Sequence, residues 1–269
     1  MAWDMAFAEK SDRTQKIYLA DAKAFAAFHQ RSPEEMGQPE VRAWVEHLLE
    51  QKKSPSRLRQ HLSALVFLYR KTLGVPQAVS FVSWPDDPER LPVVLTPEEV
   101  GRLLKAMPTP AYRMMFCTMF AAGLRIREAC QLRLEDLDSD RGVIRVMGKG
   151  KVERQAALHP PLLASLRAYW REYRPVPPWV FTGRVGLPLD TDQARRVFKA
   201  AVKETELAKR TTPHSLRHTY ATLLLEQGTD LRGIQALLGH ASIISTERYT
   251  HLATGLIRSS VDPMTLLPS

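Results

Sequence analysis

The sequence predicts a mainly α protein with a small antiparallel β-sheet, arranged as an all-helical N-terminal domain followed by a larger α+β domain. Three observations carry this prediction. Apolar residues recur every three or four positions through most of the 269 residues. Two short apolar runs flank a glycine-rich turn near residue 149, which reads as a β-hairpin. Between Ser83 and Pro92 the chain is rich in proline and charge and has no apolar period. The expected division is therefore a helical domain over 1–85, a linker over 86–92 and a second domain over 93–269.

In the first domain, helical spacing joins Tyr18, Ala22, Phe25 and Phe28, then Val41, Trp44, Val45 and Leu48, then Leu58, Leu62, Leu65, Val66 and Tyr69. Ser54 before Pro55 is a start signal for the third helix, because serine caps the first free N–H groups and proline tolerates the first turn. Residues 1–50 hold nine acidic residues, whereas 51–85 hold none. The acid-free stretch carries Lys52, Lys53, Arg57, Arg59, Arg70 and Lys71, with Gln60 and His61 beside them. Lys52, Lys53, Arg57, Arg59 and His61 are thus candidates for a helix face lying along phosphates or in a groove.

In the second domain, Thr96-Pro97-Glu98-Glu99 has capping-box spacing, and Val100, Leu103, Leu104 and Met107 follow it as a buried stripe. Ala111 to Ala122 is apolar on nearly every face, as a helix through the middle of a core would be, and Gly123 should stop it. Arg125 comes directly after that stop, with Glu128 three residues on as a partner. Strands are expected at Val143–Met147 and Val152–Leu158. Leu162, Leu163, Leu166, Tyr169, Trp170 and Tyr173 mark another helix, Trp179 to Phe181 a short apolar connector, and Ala194 to Leu207 a helix with a basic face.

Pro213 should open a helix stabilised by Leu216, Tyr220, Leu223 and Leu224 and ended at Gly228. On that helix His214 and Arg217 are three apart, so both face one side of an N-terminus whose dipole and free N–H groups favour an anion. A second short helix runs from an Asp230 cap to Gly239, which sets His240 just past its end, and Tyr249 follows in a polar setting.

Composition narrows the class of protein. There is no run of about eighteen apolar residues and no basic-then-apolar leader, so a cytoplasmic protein without membrane segments is expected. The two cysteines, Cys117 and Cys130, lie in apolar helical patterns and read as buried thiols. The formal net charge is +9, and nearly all of the excess lies after residue 90, where 25 basic residues face 17 acidic ones. An anionic polymer is the partner such a balance suggests.

The string His-x-x-Arg (His214, Arg217), Leu-Gly-His (His240) and Tyr-Thr-His (Tyr249), preceded by Gly-Leu-Arg-x-x-Glu (Arg125) and Gly-Lys-Gly (Lys149), resembles the tyrosine recombinase, or phage integrase, family. The resemblance is strong from about Val93 to Leu252, and the first domain matches only as a generic helical, SAM-like DNA-binding domain. It implies a two-domain clamp on DNA and a site-specific recombinase that cuts and rejoins strands through a 3′-phosphotyrosyl intermediate. Tyr249 would be the nucleophile, Arg125 and Arg217 the phosphate clamps, Lys149 a mobile general acid, and His214 and His240 assisting groups. Lys151 would be a neighbouring DNA contact.

The implied partner is double-stranded DNA with paired inverted sites, bound by a homo-tetramer. No cofactor and no metal are expected, because two arginines and a lysine fill the electrostatic role that metal ions take elsewhere. A zinc site from His214, His218, His240 and His251 is disfavoured for want of a cysteine or carboxylate to complete it. The alternatives to recombination are nicking and resealing of the type IB topoisomerase kind and a catalytically inactive DNA-binding relative.

Overall fold

The computed structural model describes residues 1–85, 92–147, 153–183 and 186–238. The chain separates into two compact units, residues 1–90 and 91–269. The described residues are mostly helical, with one small antiparallel sheet.

Unit one contains α1 (Ala2–Phe7), α2 (Asp12–His29), α3 (Gln38–Glu50) and α4 (Pro55–Phe67), which continues into a π-helical turn at Leu68–Thr72. Serines begin two of these helices: Ser11 accepts from the Thr14 N–H and Ser54 from the Arg57 N–H, each at 3.3 Å. Such caps contribute about 1 kcal/mol each by satisfying N–H groups that no helical carbonyl can reach. Phe25, Trp44, Leu48, Leu65 and Tyr69 fill the centre. Phe25 meets both Trp44 and Tyr69 edge-on with ring centroids 6.2 Å apart, the geometry that aromatic quadrupoles favour. The Tyr69 hydroxyl donates to the carbonyls of Pro33 and Met36, and burial, aided by Glu40, pushes its pKa up to about 12.

One carboxylate reorganises a face of this unit. Asp21 sits on the inner side of α2 and is only 3% exposed, so it must be met by donors. It receives Gln60 Nε2 at 2.6 Å and Arg57 Nη2 at 3.1 Å, and His61 Nδ1 lies 3.3 Å away without hydrogen-bond geometry. The expectation that His61 lies on a solvent face is therefore corrected: its side chain is turned inward beside Asp21 and only 6% exposed. Burial lowers the His61 pKa, and Arg57 and Lys53 lower it further against the pull of Asp21, so the ring is neutral. Arg57, Lys52 and Lys53 are exposed, and Arg59 donates Nε to the Pro85 carbonyl at 2.7 Å.

Unit two begins with α5 (Pro97–Lys105), whose capping box pairs the Thr96 N–H with Glu99 Oε2 at 2.7 Å and the Glu99 N–H with Thr96 Oγ1 at 3.3 Å. Lys209 Nζ then ties Glu99 (2.6 Å) to the Val94 carbonyl (3.0 Å), which pins the start of the unit. α6 (Pro110–Ala122) is buried on almost all faces, and Met115, Phe116, Cys117 and Phe120 pack around it with Phe181 and Phe198 in one core. Cys117 and Cys130 are buried free thiols, as expected, and burial pushes them up to about 12 and about 11. After α7 (Ile126–Cys130), β1 (Leu137–Asp138), β2 (Val143–Met147) and β3 (Glu153–Ala157) form an antiparallel sheet in that order. Val143 opposes Ala157 and Met147 opposes Glu153, so residues 148–152, outside the described part, join the paired ends.

The remaining helices are α8 (Pro160–Tyr173), α9 (Thr191–Glu204), α10 (Pro213–Glu226) and α11 (Leu231–Leu238). α9 starts and ends three residues earlier than its basic pattern suggested, because Asp190 caps it by accepting from the Gln193 N–H at 2.7 Å. The two-residue β1 was not expected, being too short to show a period. Residues 179–181 are more than a connector: Val180 donates to the Leu132 carbonyl at 2.9 Å, and Arg133 bridges to Trp179.

Candidate active site

Gly123 ends α6 at φ +62°, and it is needed for space as well as for conformation. A Cβ there would stand 2.5 Å from Tyr220 Cδ1 and 3.0 Å from Leu238 Cδ2. The tight seat brings α6, α10 and α11 together at one point, and Tyr220, Ala221, Ile234 and Leu238 form a small core of their own beneath it.

Arg125 follows two residues later as the N-cap of α7. Its main-chain N–H donates to Glu128 Oε2 and its Nη1 to Glu128 Oε1, both at 2.8 Å. The side chain is 36% exposed, and Glu128 anchors one edge of the guanidinium. Glu128 is reached from the other side by Arg154 Nη2 at 2.6 Å. Burial by itself would raise the Glu128 carboxyl, but Arg154, the Arg125 N–H and the Arg125 side chain hold it below the ordinary value. It is therefore a carboxylate shared between two guanidiniums.

α10 supplies the next two groups. Ser215 Oγ accepts from the Thr212 N–H at 3.1 Å, and Pro213 occupies the first turn, where its missing N–H costs nothing. His214 faces solvent with its ring 5.8 Å from that of His218. Crowding by protein atoms, then the charges of Arg217, Arg125 and Arg195, lower its pKa, and Glu128 opposes them. His214 is thus neutral at pH 7 and able to accept a proton.

Arg217, one of the two phosphate clamps that the resemblance implied, is buried. It is 2% exposed, its Nη1 donates to the Gly123 carbonyl at 2.6 Å, and its Nη2 donates to the Leu238 carbonyl. These contacts take donors on both terminal nitrogens of a group that has five N–H bonds in all. The two predicted arginines and His214 are accordingly gathered around the Gly123 turn. Lys149, Lys151, His240 and Tyr249 lie outside the described residues.

Arg154 escaped sequence reasoning. Its signal is present, since alternation along β3 puts residue 154 on the buried side with Ala156, and a charge there demands an explanation. Arg195, whose charge reaches His214, was read only as one of several basic residues on a helix face. Among the described residues no group of three or more His, Cys, Asp or Glu is placed to hold a metal ion, and no helix is long and apolar enough to cross a membrane.

Residues 93–255 match the phage integrase family, and residues 1–78 match the N-terminal SAM-like domain of phage integrases. The chain belongs to the phage integrase family of tyrosine recombinases, which makes it a site-specific DNA recombinase. It is 39% identical over 274 residues to a Sinorhizobium fredii protein named as an integrase/recombinase (y4qK), covering 100% of this chain and 88% of that one. It is 31% identical over 277 residues to tyrosine recombinase XerC of a Mycobacterium species, covering 94% and 92%. Among solved structures, XerA recombinase aligns over 93% of this chain and 91% of its own at 28% identity and a TM-score of 0.53. The fold also matches that of a lambda integrase (75–356) dimer bound to a COC′ core site, with a TM-score of 0.76 at 19% identity over 90% and 94%.

Proposed function

We propose that this recombinase cuts duplex DNA at paired inverted sites by attack of Tyr249 on the scissile phosphate, forming a 3′-phosphotyrosyl bond and releasing a 5′ hydroxyl. Bond energy is conserved in the ester, so a second 5′ hydroxyl reseals it without ATP. Arg125 and Arg217 neutralise the charge that builds on the nonbridging oxygens. His214, neutral and near both, takes or shares the proton of a phenol whose ordinary pKa is about 10. Lys149 protonates the departing oxygen, with Lys151 beside it on the DNA, and His240 holds a nonbridging oxygen. The observation that carries this reading is the convergence of Arg125, Arg217 and His214 on the Gly123 turn, in a chain whose motif supplies the remaining groups in order.

Residues 1–85 act as the helical, SAM-like half of a clamp, 86–92 as its linker and 93–269 as the catalytic half. Lys52, Lys53, Arg57 and Arg59 meet phosphates, whereas buried His61 supports them from inside. The protein works in the cytoplasm as a homo-tetramer on its DNA.

A substrate with sulfur in place of the leaving 5′ oxygen tests the roles, because a thiolate departs without a proton. Lys149→Ala is expected to regain most of its cleavage rate on that substrate, while Arg217→Ala gains little, since it lacks charge stabilisation. Equal rescue of both variants, or of neither, would remove Lys149 from the acid role.

A further inference from the structure

Helix α11 ends at Leu238, directly before Gly239 and His240 in the chain. The last carbonyls of a helix have no partners within it and usually turn to water or to a glycine cap. Here guanidiniums from elsewhere donate to two of them. Arg217 of α10 donates to the Leu238 carbonyl, and Arg154 of β3 donates Nη1 to the Leu237 carbonyl at 2.5 Å. The other terminal nitrogen of Arg154, Nη2, pairs with Glu128 at 2.6 Å. One buried side chain, 7% exposed, therefore bridges the carboxylate that grips Arg125 and the end of α11.

Charge makes this bridge more than a staple. Arg125 and Glu128 alone form a neutral pair, in which the carboxylate cancels the guanidinium meant for a phosphate. With Arg154 added, the trio carries a net charge of +1, and the Glu128 charge is drawn in part toward the buried arginine. Arg125 is the most exposed of the three side chains.

Resting on the function proposed above, we infer that Arg154 is a positioning residue for strand cleavage: through Glu128 it keeps Arg125 oriented and offsets the carboxylate's charge, and through the Leu237 carbonyl it holds the end of α11. Both effects act on the transition state, where phosphate charge is greatest, more than on the bound ground state.

The test uses the full-length protein and a nicked duplex carrying the inverted-repeat site recovered by selecting random-sequence DNA with the wild-type chain. Single-turnover formation of the SDS-resistant adduct is followed at saturating protein, with binding measured separately by band shift. Arg154→Met is expected to bind within about threefold of wild type yet cleave on the order of 10- to 100-fold more slowly, as loss of one preorganised charge in a site does. Adding Glu128→Gln, which removes the charge that Arg154 offsets and keeps an acceptor for Arg125, should slow the double variant by much less than the product of the two single losses. Arg154→Lys restores the charge and should cleave closer to wild type than Arg154→Met, and it provides the comparison if the methionine variant does not fold. Cleavage by Arg154→Met within twofold of wild type, losses that multiply, or an Arg154→Lys rate tenfold or more below a wild type of equal thermal stability would each overturn the inference alone. A wild-type chain that forms no adduct, or a Tyr249→Phe chain that does, would overturn the proposed chemistry and this inference with it.

Discussion

Gly123 is the residue on which the site closes, because its left-handed φ and the contact with Tyr220 both exclude a side chain. Gly228 has φ +85° but open space around it, so the pair separates the two effects. Gly228→Ala should cost about 1 kcal/mol for the backbone conformation alone, and Gly123→Ala about 2–4 kcal/mol once steric overlap is added. Urea denaturation of both variants measures this, and equal losses would remove the packing role of Gly123. Glu128 makes a second prediction at this scale. Its folded pKa is held below the ordinary value of 4.5, so the stability it contributes is present above that value and is lost as pH falls through the lower, folded pKa. Wild-type stability should therefore drop more steeply below about pH 4.5 than that of Glu128→Gln, read as the midpoint of thermal unfolding across an acid series. Parallel curves would mean that the carboxylate is not held by its arginines.

At the scale of elements, α4 turns His61 inward while Lys52 and Lys53 stand exposed just before its first turn, and the two should respond differently to mutation. His61→Ala removes packing beside a buried carboxylate and is expected to lower the melting temperature while leaving DNA affinity within about twofold. Lys52→Ala and Lys53→Ala should leave melting unchanged and each reduce the salt dependence of binding by about one unit of slope. A normal melting temperature with lost affinity for His61→Ala would return that ring to the DNA face. This element also marks where sequence reading stops. Ser54-Pro55, Thr96 with Glu99, and Gly123 were legible because caps and stops depend on residues within four positions. The inward turn of Gln60 and His61, and the reach of the exposed Arg57 to the same group, answer a carboxylate 36 to 40 positions away, and no local period records such a demand. For Arg154 the alternation along β3 marks a buried charge, but the partners that answer it are 26 and 83 residues distant.

At the scale of the whole molecule, the all-helical and α+β halves were readable because each buries its own apolar stripes in its own core. The family was readable for a different reason. Phosphoryl transfer needs several charge-stabilising and proton-transferring groups, and the family's motifs stand in the chain whether or not each is positioned by local structure. Lys149, His240 and Tyr249 rest on those motifs, and Arg125, Arg217 and His214 rest also on their shared turn. The central claim is that one phenol forms the covalent bond to DNA. Digestion of the adduct trapped on a nicked duplex, followed by mass spectrometry, measures it directly. The predicted result is a nucleotide 3′-phosphate on Tyr249 and no adduct from Tyr249→Phe at unchanged DNA affinity; a nucleotide on any other residue, or an adduct that persists in Tyr249→Phe, would contradict it.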